Sequence, residues 1–228
     1  MIHLFALLSL LLCGVCYTGF QNSSHFHNTG NRRSLLLLVF GGALLLRLLL
    51  AYTTHGFSND IACFAAWADR IFTLGPGQFY SAEMFTDYPP GFMYVLYLIG
   101  ALRSLLQIPY YSDLHILLLK LPAILCDIAC GFLLYREAVK RLHFSDLQGI
   151  FAASAYLFQP AVILNSSCWG QVDSVYTLMI ILMCLFLMKG NLLPAYAVYG
   201  LGVLLKPQML IFTPVLLAGI WDLSLIHI

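Results

Sequence analysis

Long apolar runs separated by short polar breaks set the pattern of this chain. A helix that crosses a bilayer needs about 20 mostly apolar residues. Runs near that length fall at 2–20, 35–53, 90–107, 114–135, 148–166, 173–188, 192–205 and 208–222. Two are weaker: 90–107 contains Arg103, and 192–205 is short and opens on Leu193-Pro194. No heptad or tandem repeat is visible. The pattern predicts an all-α fold, a polytopic transmembrane helix bundle. It divides into an N-terminal hydrophobic segment and linker at 1–34, a transmembrane module at 35–222, and a tail at 223–228. That tail breaks the helical pattern and reads as non-native. The first run has no basic residue before it and no small-residue cleavage site after Phe20, a poor fit to a signal peptide.

The most polar interruption is 58–91, which holds four acids: Asp60, Asp69, Glu83 and Asp87. Within it, Ile61, Phe64, Ala65, Ala68, Ile71 and Phe72 fall on one face of a 3.6-residue period. This predicts an amphipathic helix over 59–73, capped by Ser58 or Asn59 and ended by Gly75-Pro76-Gly77. It is too short and polar to span, so it is expected in the interface of the first external loop, with Trp67 as an aromatic anchor.

Composition places the whole chain in the membrane class. It is 61% hydrophobic and 9% charged, against roughly 25% charged in soluble domains. A net charge of +1, with no basic cluster of more than a few residues, argues against a nucleic-acid footprint. The basic residues orient the helices by the positive-inside rule. Arg32 and Arg33, then Arg136, Lys140 and Arg141, then Lys189, mark the cytoplasmic side. Loops 54–89 and 166–173 and the Lys206-Pro207 turn fall outside. With Arg33 and Arg141 both inside and residue 60 outside, only one of 90–107 and 114–135 crosses fully. The Arg103-bearing run is expected to be tilted, re-entrant or lateral.

Acids beside a bilayer are costly and mark functional sites. Asp60 sits in the first turn of the predicted helix, where the dipole favours a carboxylate. It reads either as a cap or as a base. Asp87-Tyr88-Pro89-Pro90-Gly91 forms a rigid proline corner, with Pro90 able to open the next helix. Cys168-Trp169-Gly170-Gln171-Val172-Asp173-Ser174 brings an indole, an amide, an acid and a hydroxyl between two apolar runs. Lys206 needs a partner or a polar cavity, and pairing with Asp173 and binding a phosphate both remain open. Lys120 and Asp127, seven apart on one helix face, are expected to face the bundle interior as a pair. Arg47 is placed to snorkel from a span end. Asn22 and Asn165 head N-glycosylation patterns.

Several chemistries find no support. The seven cysteines form no CxxC motif and no disulfide framework, and nothing supports a Cys63–Cys168 bridge. The histidines show no HxxxH or HExxH spacing, so no metal is assigned. There is no P-loop, dinucleotide fingerprint or nucleophile elbow, which disfavours nucleotide-sugar or ATP chemistry.

Taken together, the acid of the DIACFAAWA helix, DYPPG at 87–91, KLPAILCD at 120–127, QPAVILNSSCWGQVDS at 159–174 and LKPQ at 205–208 resemble a known group. The chain resembles the GT-C superfamily of integral-membrane glycosyltransferases over about residues 33–220. It is most similar to the mannosyltransferase-like proteins related to the GPI-anchor mannosyltransferases. The resemblance implies a polyprenyl-phosphate-linked hexose as donor, with a glycan, lipid or protein hydroxyl as acceptor. It implies an inverting transfer at the external face of the bilayer, without a cofactor. Asp60 is then the catalytic base, and Lys206, backed by Arg70, stabilises the leaving phosphate. Asp87, Tyr88, Trp169, Gln171 and Asp173 line the sugar or acceptor pocket. Family members run longer, so the chain is expected to be an N-terminal fragment. The competing readings are a polyprenyl-lipid or polysaccharide transporter and a non-catalytic membrane subunit of the same fold.

Overall fold

The structure, a computed structural model, describes residues 2–23, 32–81 and 85–226. Glu83 and the last two residues of the expected tail lie outside the described residues. No strand occurs among those described. The helices are α1 (Ile2–Ser23), α2 (Arg32–Thr53), α3 (Ser58–Leu74), α4 (Pro90–Leu105) and α5 (Asp113–Lys140). They continue with α6 (Asp146–Leu157), α7 (Pro160–Ile163), α8 (Asp173–Leu187), α9 (Leu192–Leu205) and α10 (Thr213–Ile226). A π-helical turn, Leu164–Trp169, follows α7, and 3-10 turns cover Pro76–Gln78 and Pro207–Phe212. Because α10 runs to Ile226, the helical break expected at 223 is not found.

Among the described residues, two of the eight apolar runs form helices long and apolar enough to cross a membrane, α2 and α5. A third qualifies if α6 and the segment Pro160–Trp169, bent by 52°, count as one span. Proline and glycine shorten several of the others. Pro160 and Pro207 each lack the N–H that would continue a helix, and Gly190 at φ 72° closes the turn after α8. The 16 residues of α4 reach about 24 Å at 1.5 Å per residue, short of a hydrocarbon core of about 30 Å.

The chain packs as two units: Met1–Phe57 with Ala123–Ser174, and Ser58–Pro122 with Val175–Ile228. The division falls inside α5 beside Pro122.

In the first unit, α6 packs on α1 and α2, and α2 also meets the π turn. Ala43, Tyr135, Ile150, Ala153 and Leu157 form the core, surrounded by Leu36, Val39, Phe40 and Val139. A capping box between Ser145 and Gln148 starts α6, satisfying two end donors reciprocally. α2 and the part of α5 in this unit run antiparallel. Arg32, at the start of α2, donates to the Tyr135 hydroxyl at 3.1 Å, and Arg47 reaches back to Asp127. At the other end, the Phe57 N–H donates to the Trp169 carbonyl at 2.8 Å, and the Thr54 hydroxyl donates to the Ser167 carbonyl at 3.2 Å. The end of α2 and the 167–169 segment therefore pack together.

Arg47 does not snorkel. It lies about 22 Å along α2 from Arg32, fully buried, with Nε 3.2 Å from Asp127 Oδ2. Asp127 Oδ1 also accepts from the Tyr156 hydroxyl at 3.2 Å and from the Ser174 hydroxyl. Asp127 thus has an arginine on another helix as a partner. Lys120 is equally buried and belongs to the second unit.

In the second unit, α3 lies on α4, and α4 meets α9. The α3 crossing is close because position 100 is glycine: a Cβ there would stand 2.4 Å from the Ala68 carbonyl oxygen. α3 buries Ile61, Phe64, Ala65, Ala68 and Ile71, as its periodicity predicts. Trp67 is buried too, 2% exposed. It is a core residue rather than an interface anchor, because it falls on the same stripe as Phe64 and Ile71. Asp69 of α3 forms an ion pair with Arg103 of α4. That pair explains how an arginine sits within an apolar run. A smaller core of Met183, Ala195, Met209 and Leu216 joins α8, α9 and α10.

Removing one partner of a buried ion pair strands a charge and costs about 3–5 kcal/mol. Arg47→Met is therefore expected to lower the thermal midpoint of the detergent-purified chain steeply. Adding Asp127→Asn should restore more than half the loss. A double variant no more stable than Arg47→Met would show that the two residues are not coupled.

Candidate functional site

Five of the expected site residues belong to the second unit: Asp60, Arg70, Asp87, Tyr88 and Lys206. Asp60 stands in the first turn of α3, half-buried. One turn on is Cys63, a free thiol. Burial, then the charge of Asp87, then that of Asp60 push this thiol above its ordinary range. Both carboxylates thus lie within electrostatic reach of one sulfur.

The corner is held from two sides. The Trp67 indole N–H donates to the Phe85 carbonyl at 3.1 Å, and the Tyr80 hydroxyl to the Tyr88 carbonyl at 3.0 Å. Pro89 is extended at φ −73°, ψ 166°, and Pro90 opens α4. The Tyr88 ring is packed on Phe64, Trp67 and Phe92, with centroids 5.3 to 5.8 Å apart. Such a cluster fixes ring orientation as well as burying area.

Lys206 lies at the break between α9 and the 3-10 turn, in extended backbone at φ −153°. It is 9% exposed. Its ammonium stands 5.7 Å from the centroids of both Tyr88 and Tyr176. A cation between two aromatic faces is attracted by both ring quadrupoles, by up to about 2 kcal/mol when desolvated. To the two expected roles for Lys206 the structure adds this third contact. Tyr176 carried no sequence signal. Arg70 is otherwise engaged: its Nε donates to the Phe79 carbonyl at 3.0 Å and its Nη2 to the Ser81 hydroxyl at 3.0 Å. It ties the loop after α3 back onto that helix.

Trp169, Gln171 and Asp173 belong to the first unit. Trp169 ends the π-helical turn and the other two follow it; such turns are rare and found often at functional sites. The Asn165 carbonyl accepts from the N–H groups of both Gly170 and Gln171. Gly170 reverses the chain at φ 88°, a conformation that favours glycine. The Asn165 side chain donates to Asp173 Oδ2 at 2.9 Å, aligning the carboxylate at the start of α8. Trp169 is half exposed, its ring 5.4 Å from that of Phe57. Asn165 was legible only as a glycosylation pattern. Its amide is bonded and Ser166 and Ser167 are buried, so the pattern serves structure. Asn22 heads its pattern at the edge of the described residues.

Of the four acids in 58–91, Asp69 is committed to Arg103, while Asp60 and Asp87 bracket Cys63. Among the described residues no three His, Cys, Asp or Glu side chains are grouped to hold a metal. Comparison with models of known families, with curated proteins and with solved structures gave no match.

Cys63 reports on this geometry. A negative neighbour opposes the thiolate, so removing one lowers the thiol pKa and speeds alkylation at fixed pH. In a chain whose only cysteine is Cys63, the labelling midpoint should lie above the ordinary thiol range. Asp87→Asn should shift it down, and Asp60→Asn by less. A midpoint unmoved by Asp87→Asn would separate the two carboxylates.

Proposed function

We propose that this chain carries the catalytic module of a GT-C-type membrane glycosyltransferase, part of a polytopic bundle. It would move a hexose from a polyprenyl-phosphate donor to an acceptor hydroxyl at the external bilayer face. What supports this reading most is that Tyr88 of the proline corner faces Lys206 within the unit that also holds Asp60 and Asp87. A base, an acid partner and a cation then come from one packed unit, at the edge of an apolar chain where a lipid-linked donor resides.

The step is a single displacement. The acceptor O–H gives its proton to Asp60 as its oxygen attacks the anomeric carbon. The bond from that carbon to the phosphate oxygen breaks, and polyprenyl phosphate leaves with the electron pair. The anomeric configuration inverts. Charge develops on the leaving phosphate, and a preorganised cation opposite it stabilises the transition state more than the ground state. Lys206 fills that role because two rings hold its ammonium in place. Arg70 is spent on the α3 loop and is not assigned to the phosphate.

Asp60→Asn keeps the shape of the side chain and removes the base. General-base catalysis contributes about 10²–10⁴-fold. Membranes bearing Asp60→Asn should lose at least a hundredfold in kcat for transfer from labelled polyprenyl-phosphate mannose or glucose, with KM little changed. Lys206→Gln should lose an intermediate factor. Wild-type transfer by Asp60→Asn would remove Asp60 as base, and lipid transport without any transfer would favour a transporter.

A further inference from the structure

At the basic end of the first unit, a cavity of about 420 Å³ opens between α2 and α5. Its size lies within the roughly 300–1,000 Å³ usual for ligand sites. Seven residues line it: Arg32, Leu36, Phe132, Tyr135, Arg136, Val139 and Lys140. Three are cations and none is an acid. Arg32 is partly compensated, its Nε lying 3.2 Å from Asp146 Oδ1. Arg136 and Lys140 stand one turn apart on α5, where like charges destabilise a helix. The last turn of α5 favours a cation such as Lys140, and an anion in the cavity would relieve its repulsion with Arg136.

The rest of the wall is apolar. Leu36, Phe132 and Val139 flank the cations, and Phe132 is half exposed. Beyond them along α2, Leu37 and Leu38 are exposed, 74% and 71%. A free phosphate has no use for this surface, whereas a phosphate carrying acyl chains does. The positive-inside rule puts this end at the cytoplasmic leaflet, where anionic lipids concentrate and each basic residue contributes about a fivefold gain in binding.

We propose that this cavity binds the phosphate headgroup of an anionic phospholipid from the cytoplasmic leaflet. Arg136 and Lys140 hold the phosphate, and Arg32 closes the cavity from α2. The acyl chains lie along Phe132 and the outer face of α2. The site is separate from the Asp60 cluster and stands whether or not the transferase reading holds.

The full chain in neutral detergent is titrated with phosphatidylglycerol, phosphatidylcholine or inorganic phosphate, following the thermal midpoint. Phosphatidylglycerol alone should raise it. Arg136→Gln with Lys140→Gln should weaken the apparent affinity for that lipid about thirtyfold, and Lys140→Gln alone about fivefold. Arg33→Gln, at the same helix end but outside the cavity, should change nothing. An unchanged midpoint of the double variant in phosphatidylcholine establishes that it folds. If it does not fold, the single Lys140→Gln variant decides. Equal stabilisation by phosphatidylcholine would overturn the proposal. So would a full effect of inorganic phosphate, wild-type affinity in the decisive variant, or an equal loss in Arg33→Gln.

Discussion

The buried pair between Arg47 and Asp127 is the constraint around which the first unit is arranged. Burying two charges costs several kcal/mol each, and their attraction offsets this only when geometry and further hydrogen bonds are good. Here the supporting bonds are present: Asp127 accepts from Arg47, Tyr156 and Ser174. Those three donors come from α2, α6 and the start of α8, and the acceptor from α5. One carboxylate therefore sets the register of four helices. Sliding α2 by one turn, about 5.4 Å, would leave two charges stranded in apolar surroundings. Ser174 also carries the constraint outward. Its neighbour Asp173 is held by Asn165, whose carbonyl shapes the π-helical turn. A polar turn at one end of the unit is thus anchored to a charge in its interior.

The second unit depends on close aromatic and glycine contacts instead. Gly100 lets α3 approach α4, and Gly91 would place a Cβ 2.5 Å from the Leu204 carbonyl oxygen of α9. These approaches bring the proline corner against α3 on one side and α9 on the other. Tyr88 is the shared element: its ring packs into the Phe64, Trp67 and Phe92 cluster and also faces Lys206. The Asp69–Arg103 pair fixes the same α3–α4 packing nearer the end of α4.

What the sequence made legible was local. The apolar period of α3 placed its helix within one residue at each end, and the prolines of DYPPG placed the corner. The same period already put Trp67 between Phe64 and Ile71, and it outweighed the general preference of tryptophan for interfaces. Long-range pairing was hidden. Asp127 has Lys120 on its own helix face, so the helix rule points to a local partner and gives no sign of Arg47, 80 residues away. Hydropathy marked apolar runs but not where Pro160 or Pro207 would cut them. No pattern in Asn165 and its neighbours announces a π turn.

The charges of this chain fall into two kinds. Arg47 with Asp127, Arg103 with Asp69, and Arg32 with Asp146 are opposite charges neutralised within the fold. Packing accounts for them. In two other places like charges converge: Asp60 and Asp87 about Cys63, and Arg136 and Lys140 in one cavity. Like charges brought together raise the energy of the folded state, by an amount that grows as water is excluded. A proton, a phosphate or a polar substrate of the opposite character lowers that energy on binding. On the readings proposed above, Asp60 would take the proton of an acceptor hydroxyl, and Arg136 with Lys140 would hold a lipid phosphate. The two lie in separate units, so each can be occupied on its own terms.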